Sequence, residues 1–483
     1  MIVMKFGGTS VENEKAMRRV GEIVRGRLKQ KPVVVVSAMA GITDSLVAMA
    51  NSAARGALPE AFKLLRQVRQ RHVNVANELL GARNSSELRA AIQQQLDALQ
   101  DVLRGVAALG ELSARTMDNV LATGEVLSSQ MVAAGFRAMG MESVHVDSRR
   151  CVVTDGNHTK AVPLADATNE KLRQAVRPLL AAGKVPVMGG FIAATEDGVT
   201  TTLGRGGSDF SAAIVGAGLQ ARRIEIWTDV DGMMTTDPRI CPEAQKIDVI
   251  GFDEASELAY FGAKVLHPAT LIPAVEKDIP VYILNSRNPR NKGTCIRRHA
   301  RPGGNFFRAI ALKKGARVIS VRSPRMLMAH GFLRALFEAF DRHACVADLV
   351  STSEVSVSVT LDGARDVSGL VRDLEKLGDV SVEDKKAIVC LVGEDISGRV
   401  GVAAKVFSLM AEGNINLHMI SQGASEINIS FVLEERDGAD AVKRLHRHFF
   451  ERSNVARQKR AAAPMRDSAL ALMNEVSAQS GVA

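Results

Sequence analysis

The sequence predicts an α/β domain built on a mostly parallel sheet, followed by a tandem pair of ferredoxin-like β-α-β-β-α units. Three observations carry this. Short β-branched runs alternate with helical patterns over residues 1–300, the pattern of strands joined by crossover helices. A stretch rich in Pro, Gly, Asn and Arg, "RNPRNKGTCIRRHARPGGN" at 287–305, interrupts that alternation. Beyond it one plan occurs twice: Gly331 and Gly401 are 70 residues apart, as are Ser351 and Ser421, while Ser353-Glu354 and Ser425-Glu426 are 72 apart.

The elements follow in order. Candidate strands of the first domain are Ile2–Phe6, Val33–Ser37, Glu142–Val146, Val185–Gly189, Ile224–Thr228 and Val281–Leu284. The chain between 46 and 120 is almost all helix-forming, and Leu88, Ile92, Leu96, Leu99 and Leu103 lie three to four apart on one apolar face. In the repeats, strands at Val318–Arg322 and Ala387–Val392 each precede an amphipathic helix. On the first of these helices, Phe332, Leu333, Leu336, Phe337 and Phe340 read mostly as a buried face. The expected boundaries are 1–300, 301–385 and 386–455, with an Ala-rich tail over 456–483.

Composition narrows the function. With 483 residues, 46% hydrophobic and 24% charged, the chain is of globular type and long enough for two or three domains. No apolar run reaches the ~18 residues of a membrane span, and Lys5 interrupts the apolar start too early for a signal peptide. The five cysteines are scattered without a C-x-x-C pair, which predicts a cytoplasmic protein without disulfides, a zinc site or another protein-held metal. The net charge of +9 comes from interspersed charges, and one Trp and two Tyr offer few base-stacking platforms. Small anionic substrates suit this surface better than nucleic acid or a membrane.

Two glycine loops carry cations. In "KFGGTS" a strand runs into Gly7-Gly8 with Lys5 at its end, and Ser10 is the expected N-cap of the next helix, whose buried face is Met17, Val20 and Val24. Such a strand–loop–helix unit aims backbone N–H groups and a positive helix end at an anion. Neither this loop nor the next is a Walker A loop, which places its Lys after the glycines. In "TTLGRGGSD" three glycines surround Arg205, whose guanidinium can grip a carboxylate with two bonds; Ser208 and Asp209 then open a helix. A third stretch, "IEIWTDVDGMMTTDPR", ends a strand at Thr228-Asp229 and continues to Arg239. The dinucleotide-like "GAGLQA" at 216–221 falls at the end of a helix rather than its start, which argues against a nicotinamide site.

Together "KFGGTS", "SAMAGITD" at 37–44, "TGE" at 123–125, "TTTLGRGGSD", "WTDVDGMMTTDPR" and "FGAKVLHPAT" at 261–270 resemble the aspartate kinases in order and spacing. The paired repeats are similar to their ACT regulatory domains. The resemblance implies an amino-acid-kinase fold, an open αβα sandwich, transferring phosphate from ATP with Mg²⁺ to the side-chain carboxylate of L-aspartate. It implies Lys5 and Asp209 as the catalytic pair, and ATP contacts from Lys5, Gly7, Gly8, Thr228, Asp229, Met234, Arg239, Lys264 and Val265. Met234 departs from the family pattern, which commonly has Tyr there. Ser37, Thr43, Glu125, Arg205 and Ser208 would serve aspartate. In lysine-sensitive members the effector meets positions matching Met326, Gly331, Phe332, Leu333, Ala347, Asp348, Thr352 and Glu354. Lysine is therefore the expected effector, ahead of threonine, and ACT pairing implies a homodimer or homotetramer. Another carboxylate kinase of the same fold, or a non-enzymatic ACT sensor of amino acids, are the alternative functions.

Overall fold

The computed structural model describes residues 1–262, 268–298, 300, 306–327, 330–396, 398–422 and 427–451. Contacts divide the chain into two compact units. The first holds 1–233, 246–259 and 264–300; the second holds 234–245, 260–263 and the chain from 301 onward. The expected tail over 456–483 lies outside the described residues.

An eight-stranded sheet organises the first unit. Its order is Ser143–Val146, Val185–Gly189, Pro32–Val36, Ile2–Phe6, Ile224–Thr228, Val281–Asn285, Thr294–Arg297 and Val249–Gly251. The first six run parallel, and the pairing turns antiparallel only between Val281–Asn285 and Thr294–Arg297. The central strands IVMKF and PVVVV are buried along their whole length, as expected for a sheet covered on both faces. Trp227 stacks on Phe6 at 5.9 Å between centroids, a pair worth about 0.5–1.5 kcal/mol beyond its buried area.

Helices Ile42–Ala54, Leu58–Leu80, Ser86–Leu109 and Ala114–Ala138 occupy the helix-forming region. Leu88, Ile92, Leu96, Leu99 and Leu103 are all buried there, so the apolar stripe is a packing face. None of the described helices is long and apolar enough to cross a membrane. The first crossover helix differs in detail from expectation. It spans Glu14–Arg25, and its cap is Asn13, whose side chain accepts from the Ala16 amide at 2.9 Å. Ser10 instead ends a short 3-10 turn and donates to the Ser286 hydroxyl at 2.9 Å. A long-range bond took the side chain that local capping would have used. Gly216 and Gly218 lie near the end of the Gly207–Leu219 helix, where a Cβ would strike Ile224 and Asn169 respectively.

The second unit is organised by one six-stranded antiparallel sheet. Both repeats contribute to it, in the order Val350–Thr352, Ser356–Asp362, Phe307–Arg322, Asp379–Gly393, Asn428–Glu434 and Met419–Ser421. The two long central strands interleave the repeats. Residues 307–313 pair with 388–393, while 316–322 pair with 379–386 on one side and 356–362 on the other. Each half packs its own apolar cluster, one around Leu336, Phe340 and Leu370, the other around Phe431, Val406 and Leu445. On helix Phe332–Arg342, Leu336 and Phe340 are buried, but Leu333 and Phe337 are exposed; the apolar run is longer than the face this chain covers.

Candidate active site

In the first unit, strands ending at Phe6, Val36, Gly189, Thr228 and Asn285 present their C-terminal ends along one edge, where open α/β sheets bind ligands. Lys5 is buried on its strand, and its Nζ lies 2.7 Å from Oδ1 of Asp209 in the first turn of helix Gly207–Leu219. Residues 204 positions apart thus form a nearly dry ion pair.

Gly7 donates to the Trp227 carbonyl at 3.1 Å, and the Gly8 carbonyl accepts from Ala40 at 3.2 Å. A Cβ on Gly8 would sit 2.9 Å from the Ala38 oxygen, so only glycine lets the 37–41 loop pack against the first. The Ala38 amide in turn donates to Glu125 Oε1 at 3.1 Å. The other oxygen, Oε2, is buried with no hydrogen-bond partner, and burial pushes the Glu125 carboxyl up to about 8. Ser37 and Thr43 flank the same loop, both half-buried.

Gly204 and Gly206 take positive φ at 74° each, raising Arg205 to the surface. Arg205 forms no ion pair among the described residues. A Cβ on Gly190 would lie 2.7 Å from Ser208, which places Ser208 against the end of strand Val185–Gly189. Thr228 donates to Asp229 at 3.3 Å at the end of its own strand. Lys5, Gly7, Gly8, Ser37, Glu125, Ser208, Asp209 and Thr228 therefore share the strand-end edge.

Met234 and Arg239 group with the second unit, and Arg239 is exposed, its guanidinium bidentate on Asp237. Lys264 and Val265 lie outside the described residues. Of the effector positions, Asp348 has a side chain only 4% exposed. Its Oδ2 lies 2.5 Å from Lys313 Nζ, and its Oδ1 accepts from the Tyr260 hydroxyl at 2.7 Å. Gly331 caps helix Phe332–Arg342 with φ 85°; Leu333, Thr352 and Glu354 are exposed, Met326, Phe332 and Ala347 half-buried.

Some supporting residues escaped the sequence reading. Asp118 is fully buried and accepts from Thr202 at 2.5 Å, from the Thr159 amide at 3.1 Å, and from His158 Nδ1 at 2.7 Å. Gly204 leans on that 157–160 loop, since its Cβ would lie 3.1 Å from the Thr159 oxygen. Ser286 ties the Thr228 carbonyl through its amide at 2.8 Å and its hydroxyl at 3.1 Å, and Asn285 donates to Asp231 at 2.8 Å. The only sequence signal for Asp118 was its place one to two turns before "TGE".

The geometry offers a buried ammonium–carboxylate pair, a buried carboxyl with one unpartnered oxygen and an exposed guanidinium on glycine hinges. Such a set is chemically able to hold a zwitterionic acid beside a phosphate. Residues 1–285 match the amino acid kinase family, and residues 389–449 match the ACT domain. Lysine-sensitive aspartokinase 3 of Escherichia coli K12 is 39% identical over 461 residues, covering 93% of this chain and 99% of that protein. Chloroplastic aspartokinase 2 of Arabidopsis thaliana is 34% identical, covering 93% and 84%. Two solved structures of Escherichia coli aspartokinase III each superpose with a TM-score of 0.80 at 37% identity, covering 93% of this chain. One contains aspartate and ADP (R-state; 100% of that chain covered), the other lysine and aspartate (T-state; 99%).

Proposed function

The chain belongs to the aspartokinases of the amino acid kinase family, and from that premise we propose how its residues divide the work. The reaction is ATP + L-aspartate → 4-phospho-L-aspartate + ADP. The attacking group is a carboxylate with an ordinary pKa near 3.9, already ionised at neutral pH, so no general base is needed. What the site must do is bring two anions together and neutralise them.

In this reading the 5–10 loop cradles the transferring phosphate, with Lys5 as countercharge and Asp209 fixing the Lys5 ammonium. Thr228, Asp229, Met234, Arg239, Lys264 and Val265 serve the remainder of the nucleotide. Arg205 takes the α-carboxylate of aspartate. Glu125, with its unpartnered Oε2, takes the α-ammonium, and Ser37, Thr43 and Ser208 complete the grip. Mg²⁺ would travel with the phosphates. Asp209 is a hard oxygen donor suited to it, and the ion would add positive charge at the transferring group. The observation carrying this reading is the convergence of Lys5, Asp209 and Glu125 on one strand-end edge. Measuring ADP release and hydroxamate-trapped acyl phosphate with aspartate, glutamate and other carboxylates tests it. Turnover with glutamate but not aspartate would move the chain to another branch of the fold; no turnover with any would leave the ACT sensor.

We read residues 1–300 as the kinase domain, and the two repeats to 455 as ACT regulatory units with lysine as effector. Asp348 favours an effector with a side-chain ammonium over threonine, because its carboxylate is buried and already accommodates the side-chain ammonium of Lys313. Exposed Leu333, Phe337, Val346 and Val350 in the second unit favour pairing with another copy. The five cysteines, none of them in a disulfide, suit a reducing compartment such as the cytoplasm.

A further inference from the structure

The scattered cysteines gave no metal motif in the sequence, yet folding of the second unit gathers three ligand types in one place. Cys241 ends the turn that begins at Asp237, and its amide donates to the Asp237 carbonyl at 3.0 Å. His446 is the last residue of helix Gly438–His446, and Glu451 closes the π-helical turn after it. Cys241 Sγ lies 3.4 Å from His446 Nδ1, and Nδ1 lies 3.0 Å from Glu451 Oε1. All three donor atoms fall within 4.8 Å of one another, with Cys241 and His446 buried and Glu451 half-buried. We propose that Cys241, His446 and Glu451 form a site for a borderline-soft divalent cation, Zn²⁺ by its ligand chemistry.

The donor set and spacing support this ion. Zinc takes thiolate at ~2.3 Å and imidazole at ~2.0–2.1 Å, so neighbouring donors of a tetrahedral site stand roughly 3.2–3.6 Å apart. The observed 3.0 and 3.4 Å are close to that without rearranging the backbone. A mixed S, N, O set suits Zn²⁺ rather than Mg²⁺ or Ca²⁺, which prefer oxygen alone. Outer contacts of the expected kind are also in place. His446 Nε2 lies 2.9 Å from Thr235 Oγ1, which fixes the ring and leaves Nδ1 for the metal. Thr235 is itself held, its hydroxyl oxygen accepting from the Gln245 amide at 2.8 Å. Glu243 Oε2 lies 3.3 Å from Cys241 Sγ but falls outside the three-donor group, so a water would fill the fourth position.

Binding replaces protons. Without metal, Cys241 donates its S–H to Glu243 and Nδ1–H donates to Glu451. With Zn²⁺, the thiol proton leaves to solvent, Sγ and the Nδ1 lone pair bond the ion, and the ring hydrogen sits on Nε2 facing Thr235. The ion would clamp the 237–241 turn, which carries Arg239, onto the C-terminal helix.

The test uses untagged full-length protein stripped with a chelator, then dialysed against Zn²⁺ or Co²⁺. Elemental analysis should find one Zn²⁺ retained per chain, and Co²⁺ should produce a thiolate-to-cobalt charge-transfer band. Both should be lost in Cys241→Ser, and Glu451→Gln should weaken retention by about tenfold or more. Absence of retained zinc and of the cobalt band in the wild type overturns the proposal, as does a band that persists in Cys241→Ser. The wild-type spectrum decides the matter even if a variant folds poorly.

Discussion

Lys313 Nζ sits 2.5 Å from Asp348 Oδ2 while the Tyr260 hydroxyl occupies the other oxygen. The carboxylate proposed for the effector's ammonium is thus already satisfied by a lysine of the same chain. An incoming amino acid must displace Lys313 or share its carboxylate. Lys313→Met should therefore lower the lysine concentration for half-inhibition by about two- to fivefold, the worth of a partly exposed ion pair. Dose–response curves of the two proteins check this; an unchanged midpoint in a lysine-inhibited enzyme removes Asp348 from the effector site.

Lys5→Ala should reduce kcat by about 10²–10³-fold, as loss of a transition-state countercharge does. The far-UV circular dichroism spectrum should be preserved. A turnover near that of wild type would show that the ammonium does not face the transferring phosphate.

Glu125 has its carboxyl raised to about 8 by burial, with Ala38 and Lys5 opposing. The folded, substrate-free protein holds this proton below that value, whereas an unfolded chain releases it near the ordinary 4.5. The raised group therefore costs stability increasingly as pH climbs from about 4.5 to 8. If the α-ammonium of aspartate ionises Glu125 on binding, a proton must leave, so aspartate affinity should rise from pH 6 to 8 and then level off. Calorimetry in buffers of differing ionisation enthalpy should detect nearly one proton released at pH 6. Zero release would place the ammonium elsewhere.

Gly8→Ala drives a Cβ to 2.9 Å from the Ala38 oxygen. Overpacking of this kind costs about 1–3 kcal/mol. Because the Ala38 amide also holds Glu125, KM should rise for both ATP and aspartate. A rise for ATP alone would show that the two loops move independently.

Asp118→Asn removes the charge that accepts from Thr202, His158 and the Thr159 amide. The expected outcome is a melting temperature lowered by a loss of about 1.5–3 kcal/mol and a raised KM for aspartate, since the loop under Gly204 loosens. An unchanged KM would restrict Asp118 to a structural part.

The glycine loops were legible because their information is local: a strand, two or three glycines, a cation and a helix start fit within ten residues. Lys5 and Arg205 were singled out this way. Glu125 was less accessible, since a lone Glu on a helix reads as surface, and only the pairing with Ala38, 87 residues away, shows it buried. Asp118, Asn285 and Ser286 gave no local signal, because their partners come from distant strands and loops. The exchange of Ser10 for Asn13 as helix cap has the same origin: tertiary bonding outbid a local propensity. The repeats were legible as a sequence period, but their strand partners were not, since register between equivalent strands is settled only by assembly.

The interleaved sheet bears on how this regulatory region can be cut or inherited. Residues 307–313 find their partners at 388–393, on the far side of the entire first repeat. A truncation after 385 would leave that segment with an open edge, and grafting the second repeat alone onto another enzyme would omit one of its strands. The first repeat is in effect an insertion inside the second. Replacement of the region between homologues should work when 307–451 is exchanged as one block, and fail at any junction drawn between the repeats.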